Sequence, residues 1–167
     1  MTITTCTHET PAGPLSVLVV DDGSVIAAGF AEASLLLDRL RPEIAAGHEV
    51  VSRSDVGSVS GDIADYLDGQ VDALDRIVVD QPGTVLQNEV WSSLRAIPAG
   101  ETRTYTQLAA MTSNPKAVRA AGTACGRNLI APMVPCHRAL RTDGTLGGYY
   151  YGLDVKRWLL THEAANR

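Results

Sequence analysis

The stretch TYTQLAAMTSNPKAVRAAGTACGR, residues 104–127, decides the fold. Thr104 or Thr106 can cap a helix carrying Leu108 and Met111, because a hydroxyl just before the first turn accepts from a helix N–H that has no other partner. Ser113-Asn-Pro115 marks a turn, and the spacing predicts a second helix from Lys116 to about Arg127. Two short helices joined by a tight turn are the outline of a helix-turn-helix. One face of the second helix is mostly Ala and Gly. Spacing alone leaves two explanations open: close approach of the backbone to a partner surface such as DNA, or tight helix–helix packing.

Upstream, Thr84 can cap a helix whose apolar face is Val85, Leu86, Val90, Trp91, Leu94 and Ile97, ended by Pro98-Ala-Gly100. Before Gly83 the chain reads as short strands. Thr2 to Thr7 is β-branched, Pro11-Ala-Gly-Pro14 marks a turn, and Leu15–Val20 and Val25–Phe30 flank the hairpin signal Asp21-Asp-Gly-Ser24. Ala33 to Leu40 is expected as a helix ended by Pro42, Ile63, Tyr66 and Leu67 as part of another stopped at Gly69, and Leu74 to Asp80 as a further strand. The reading is therefore α+β, with a small N-terminal α/β domain over residues 1–80 and a mostly helical domain over 81–167.

Charge follows the same division. The net charge of −5 resolves into −10 over residues 1–80 and +5 over residues 81–167. A basic half beside an acidic one is expected when one face meets a polyanion. The three cysteines, Cys6, Cys125 and Cys136, are too few and irregular for a disulfide framework and point to a reducing cytoplasm. The apolar runs are too short to span a bilayer, and Met1 to Thr10 lacks the pattern of a secretory leader, so no membrane partner is expected.

The chemistry lies in Ala131-Pro-Met-Val-Pro-Cys-His-Arg138. Met133-Val134 reads as a short buried strand, and Pro135 fixes the backbone before Cys136. A cysteine beside a histidine and an arginine sits where a thiolate is favoured. On an extended chain His137 would point away from its neighbour's sulfur, so a water relay is expected to carry the thiol proton to it. Glu163, on a final helix from Asp154 to about Ala165, is the candidate to orient the other imidazole nitrogen.

Pro135-Cys-His-Arg138 resembles the active-site motif of the methylated-DNA–protein-cysteine methyltransferases, the O6-alkylguanine-DNA alkyltransferase family. The likeness runs through Tyr105, Asn114-Pro-Lys116, Arg119, Gly122 and Asn128, then through Gly147-Gly-Tyr149, Lys156, Trp158-Leu-Leu160 and His162-Glu163. It covers roughly residues 84–164. It implies a ribonuclease H-like N-terminal domain and a winged-helix-like C-terminal domain. It also implies irreversible, single-turnover transfer of the alkyl group from O6-alkylguanine, with O4-alkylthymine as a further substrate, onto Cys136.

The resemblance further implies base flipping on double-stranded alkylated DNA through the minor groove. Arg119 would fill the vacated place in the stack. Tyr105 would press on the 3′ phosphate and donate a proton toward guanine N3. Thr106, Asn114 and Thr142 would hold the backbone, and Asn128 would brace the turn before the active site. Val134, Ala139, Tyr149 and Tyr150 would line the substrate pocket, with backbone groups at Cys136, Ala139 and Tyr150 reading the guanine edge. No cofactor and no metal are expected, Cys6 and His8 being two ligands without partners, and the protein is expected to act as a monomer. Without the four-cysteine domain of adaptive-response relatives, transcriptional activation is not expected.

Tyr150 and Tyr151 stand where many relatives have small residues, which should narrow the pocket. Ala139 and Leu86 replace residues often larger or more polar. Cys125 reads as a packing residue. The competing readings are a lesion sensor without chemistry, which the acceptor cysteine argues against, a cysteine hydrolase using Cys136, His137 and Glu163, and a DNA-binding regulator with an inert cysteine.

Overall fold

β1 (Thr2–Thr10) and β2 (Gly13–Val20) form a long antiparallel hairpin in a computed structural model that describes residues 1–167. Gly13, at φ 108°, supplies the positive angle that closes it. A second hairpin turn at Asp21–Ser24 leads into β3 (Val25–Gly29), and β4 (Glu49–Ser52) returns parallel to β1, giving the order β3-β2-β1-β4. The crossover between β3 and β4 carries α1 (Ala33–Arg39) and α2 (Pro42–Ala46). Ile3, Leu18 and Ala27 from the sheet bury against Leu36 of α1 and Leu40 just after its end. α3 (Ser58–Leu67) follows, with Val59, Ile63 and Tyr66 buried.

The chain divides into two compact units, Met1–Gln81 with Leu129–Met133, and Pro82–Asn128 with Val134–Arg167. A linear division near residue 80 did not anticipate the return of Leu129–Met133. That segment satisfies the edge of β3: Ala28 N–H donates to the Leu129 carbonyl at 2.8 Å, and Ala131 N–H donates to Ala28 at 3.1 Å.

Three expectations in this unit and its return segment are corrected. Leu74–Asp80 is not a strand: Ala73–Arg76 is a 3-10 turn, and only Val79 bridges β3, at Val25. Ala73 and Leu74 are both buried in this turn, Ile77 is buried after it and Val78 is exposed, which is not the alternation of a half-buried strand. Pro42 opens α2 at its first turn, where its missing N–H costs nothing, and the first helix already ends at Arg39. Met133-Val134 forms no strand, because Pro132 and Pro135 on either side have no N–H for a ladder.

The second unit begins with α4 (Val85–Ala96), where Thr84 and Gln87 form a reciprocal capping box. Trp91 ties this helix to the next layer: its indole N–H donates to the Ala124 carbonyl at 3.0 Å. Gly83 is required beside it, since a Cβ there would come within 2.6 Å of the Trp91 ring. β5 (Arg103–Thr104) pairs in parallel with β6 (Ala139–Leu140). A second capping box, Thr104 with Gln107, opens α5 (Tyr105–Ala110). α6 is Val118–Gly126, shorter than the sequence suggests. Lys116 and Ala117 remain in the turn, where Ala117 N–H closes onto the Asn114 carbonyl at 3.0 Å, and the first helical bond is Ala121 to Ala117. The unit ends with α7 (Leu153–Asn166).

Candidate active site and nucleic-acid groove

Cys136 begins a 3-10 turn, Cys136–Arg138, so the extended backbone expected around the thiol is not present. Pro135 cannot donate, and the chain tightens here: Cys136 N–H donates to the Val134 carbonyl at 2.9 Å and Arg138 N–H to Pro135 at 3.0 Å. Asn128 Nδ2 donates to the same Val134 carbonyl at 2.8 Å, tying the end of α6 to the residues before the thiol. The tight turn sends His137 and Arg138 into the interior while Cys136 stays half-buried.

Both buried side chains of this turn meet one carboxylate on α7. His137 Nε2 donates to Glu163 Oε2 at 2.9 Å, and Arg138 donates through Nε to Oε1 at 2.9 Å and through Nη2 to Oε2 at 3.1 Å. Arg138 Nη1 donates to the Ile97 carbonyl at 2.7 Å. Burial alone would raise the Glu163 carboxyl, but His137 and the bidentate guanidinium win and hold it well below the usual carboxylate range. Burial lowers His137 below its ordinary value, with the Arg138 and Lys156 charges adding to it and Glu163 opposing. The imidazole is therefore neutral near pH 7, with its proton on Nε2. Nδ1 is buried, has no protein partner, and keeps its lone pair.

Lys156 is buried on α7 and donates its ammonium hydrogens to the carbonyls of Ala139 at 2.9 Å, Gly148 at 3.3 Å and Leu146. It thereby pins the loop that carries Tyr149 to the residues after the thiol. Burial lowers its pKa, and the Cys136 and Cys125 sulfurs act in the opposite direction. Cys125 is buried on α6 with its thiol pushed well up, first by burial, so it stays protonated.

The outer side of α6 faces an open groove of about 880 Å³ lined by Tyr105, Lys116, Arg119, Gly122, Arg141 and Thr142, with Val118 and Thr123. The small-residue helix has two different faces: Ala121, Ala124 and Cys125 pack inward, while Arg119, Gly122 and Thr123 line the groove. No carboxylate lines it, and three cations do. Thr106 and Thr142 join their hydroxyls at 2.8 Å. Burial pushes the Tyr105 phenol up to about 12, so it is a proton donor at neutral pH.

Among the remaining expected site residues, Val134 and Ala139 are buried, and Tyr149 is half-buried. Tyr150 is exposed and edge-on to Tyr151, with ring centroids 4.9 Å apart. Asn114 is exposed in the α5–α6 turn and is not among the groove-lining residues. Sequence reasoning assigned no role to Arg141, Lys116 or Lys156 individually, although all three are basic residues of the positively charged half. In the other unit, Cys6 Sγ lies 3.6 Å from His8 Nε2, which also meets the Ser60 hydroxyl at 2.8 Å.

Residues 85–165 match the family profile of the 6-O-methylguanine DNA methyltransferase DNA-binding domain. The chain is 40% identical to the methylated-DNA–protein-cysteine methyltransferase of Salmonella typhimurium over 159 residues, 92% of this chain and 91% of that protein. This chain belongs to the methylated-DNA–protein-cysteine methyltransferase family. The methyltransferase also resembles the Escherichia coli bifunctional transcriptional activator/DNA repair enzyme Ada, at 51% identity over 53% of this chain and 25% of that one. A crystal structure of Mycobacterium tuberculosis OGT in complex with DNA superposes with a TM-score of 0.80 at 29% identity, covering 98% of this chain and 94% of that one. The methyltransferase is an α+β protein, and no helix in it is long and apolar enough to cross a membrane.

Proposed function

We propose that this methyltransferase repairs O6-alkylguanine in double-stranded DNA by a single irreversible transfer of the alkyl group to Sγ of Cys136. The observation that carries the reading is the buried Glu163–His137 pair, whose remaining imidazole nitrogen sits one residue from a half-buried thiol in the basic, DNA-binding half of the chain. Glu163 holds the proton on Nε2, so Nδ1 takes the thiol proton through one water. The thiolate attacks the alkyl carbon, the C–S bond forms, and the C–O6 bond breaks with its electron pair leaving on guanine. Tyr105 gives its phenolic proton to guanine N3, so the base departs neutral, and the proton held by His137 restores the phenol through solvent. The product thioether has no good leaving group, so each molecule acts once. O4-alkylthymine, which presents a comparable alkoxy group, is a further substrate.

The α5–turn–α6 helix-turn-helix enters the minor groove, where the small residues of α6 allow close approach. Arg119 occupies the place of the flipped nucleotide, Tyr105 presses on its 3′ phosphate, and Thr106, Asn114 and Thr142 hold the backbone. Asn128 acts by positioning the backbone at Val134. Residues 81–167, apart from Leu129–Met133, form a winged-helix-like domain that binds DNA and accepts the alkyl group. Residues 1–80 form a ribonuclease H-like structural domain, a reading supported by the β3-β2-β1-β4 order. The protein works as a cytoplasmic monomer. Intact-protein mass after incubation with a duplex holding one O6-methylguanine tests the central claim: one added methyl per chain is expected. Lesion binding with no mass change would place the protein among non-enzymatic sensors, and product release without modification would make it a hydrolase.

Val134, Ala139, Tyr149 and Tyr150 line the pocket, and the aromatic run narrows it. Tyr151 packs edge-on to both neighbours, its ring 5.9 Å from Tyr149 and 4.9 Å from Tyr150. Methyl adducts are expected to react readily and benzyl adducts poorly, with an exclusion of roughly 2 kcal/mol, about thirty-fold in rate. The double substitution Tyr150→Ser, Tyr151→Gly should recover most of that factor on O6-benzylguanine. Equal wild-type rates on the two adducts would rule out a steric gate.

A further inference from the structure

We infer that Arg141 is a phosphate-binding cation that works in concert with Tyr105 on the nucleotide being extracted. This rests on the repair reading above and adds a positioning residue to it. Arg141 leaves β6 at the first position of a turn fixed from both sides: Gly144 N–H donates to its carbonyl at 2.8 Å and its own N–H donates to Thr145 at 2.9 Å. Asp143 is engaged in the same turn, accepting from the Thr145 amide at 3.0 Å and the Thr145 hydroxyl at 2.7 Å. The backbone that launches the Arg141 side chain is therefore preorganised.

The side chain is exposed yet directed into the groove it lines with Tyr105, Lys116, Arg119 and Thr142. Asp143 senses the charge of its guanidinium, but no carboxylate forms an ion pair with it. Gly147, at φ 71°, reports where the stem lies. A Cβ added there would sit 3.3 Å from Arg141 Cγ and 3.5 Å from the Tyr105 hydroxyl oxygen. The arginine stem and the phenol end thus converge above a residue that has no side chain. A guanidinium carried on that stem is placed to grip a phosphate next to the one Tyr105 presses on. Thr142, one residue further on, lines the same groove, and its hydroxyl is joined to that of Thr106.

The test compares wild type, Arg141→Ala and Arg141→Lys in single-turnover methyl transfer from an O6-methylguanine duplex across a range of salt, and from free O6-methylguanine base. Loss of one phosphate contact should make the plot of log rate constant against log salt shallower by about one for Arg141→Ala. The ratio of duplex to free-base rate should fall about ten-fold in Arg141→Ala, while Arg141→Lys keeps the salt slope. In the double variant with Tyr105→Phe, the loss should be smaller than the product of the two single losses, since both act on one nucleotide. An unchanged salt slope, or equal losses on duplex and free base, would overturn the assignment. Failure of the wild type to take up methyl would instead overturn the repair reading, so the two failures are distinct.

Discussion

Replacing Cys136 with alanine should abolish methyl transfer, leaving no detectable alkylated protein, while affinity for an O6-methylguanine duplex should stay within about two-fold of wild type. The size of the effect follows from the chemistry: Sγ forms the only new bond, and nothing else in the second unit can replace it. Cys125 is buried on α6 with its thiol pushed up by burial, so it cannot serve as a substitute nucleophile. Binding survives because the groove cations Lys116, Arg119 and Arg141 contact neither the turn at 136–138 nor its partners through any ion pair. Cys136→Ser should also be inactive, since a hydroxyl ionises far less readily than a thiol. Peptide mapping after exposure to the methylated duplex, beside a mobility-shift titration, measures both quantities. Methyl found on Cys125 or Cys6 in the alanine variant would refute the acceptor assignment.

How far the sequence carried this site depends on the range of the interaction. Both capping boxes are visible as Thr-x-x-Gln at 84–87 and 104–107, because the hydroxyl and amide that complete them lie within one helical turn. The helix-turn-helix is visible for the same reason. The Glu163 partnership with His137 was accessible because a buried base needs an orienting acceptor and a carboxylate stood on the next helix. The geometry between them was not. Reading Cys136–Arg138 as extended misses the 3-10 turn that sends Arg138 onto the same carboxylate, because the partner that satisfies both buried side chains lies twenty-five residues further on.

Tertiary pairing also hid the rest. Leu129–Met133 completes the edge of β3, and Val79 supplies only one bridge there. A β-rich stretch such as 74–80 could not reveal that its neighbour strand was already paired on the other side. Lys156 is an ordinary basic residue in sequence, and only the fold shows three carbonyls around its ammonium. Arg141 follows the same logic, since its meaning depends on Gly147 lacking a side chain forty-two residues after Tyr105.

Glu163→Gln should damage both stability and rate. Arg138 is buried, and removing its carboxylate leaves a desolvated guanidinium with only the Ile97 carbonyl and a neutral amide, a cost of roughly 3–5 kcal/mol. In the same change the imidazolium that forms during proton transfer loses its counter-charge, and methyl transfer should slow by roughly 10² to 10⁴. The pH dependence fixes the sign. Glu163 is depressed in the folded protein, so its contribution is present above the ordinary carboxylate range near ~4.3 and is lost as pH falls through its folded value. His137 is also lowered, so the unfolded chain binds its proton first, and stability begins to fall as pH drops below the ordinary histidine value of ~6.5. Wild type should therefore weaken in two stages on acidification, and Glu163→Gln should keep the histidine stage while losing the carboxylate stage. Urea titrations from pH 8 to pH 3 measure this, and Glu163→Asp, which keeps the charge, should recover part of the rate. A glutamine variant with wild-type rate and an unaltered two-stage profile would show that the carboxylate neither orients His137 nor neutralises Arg138.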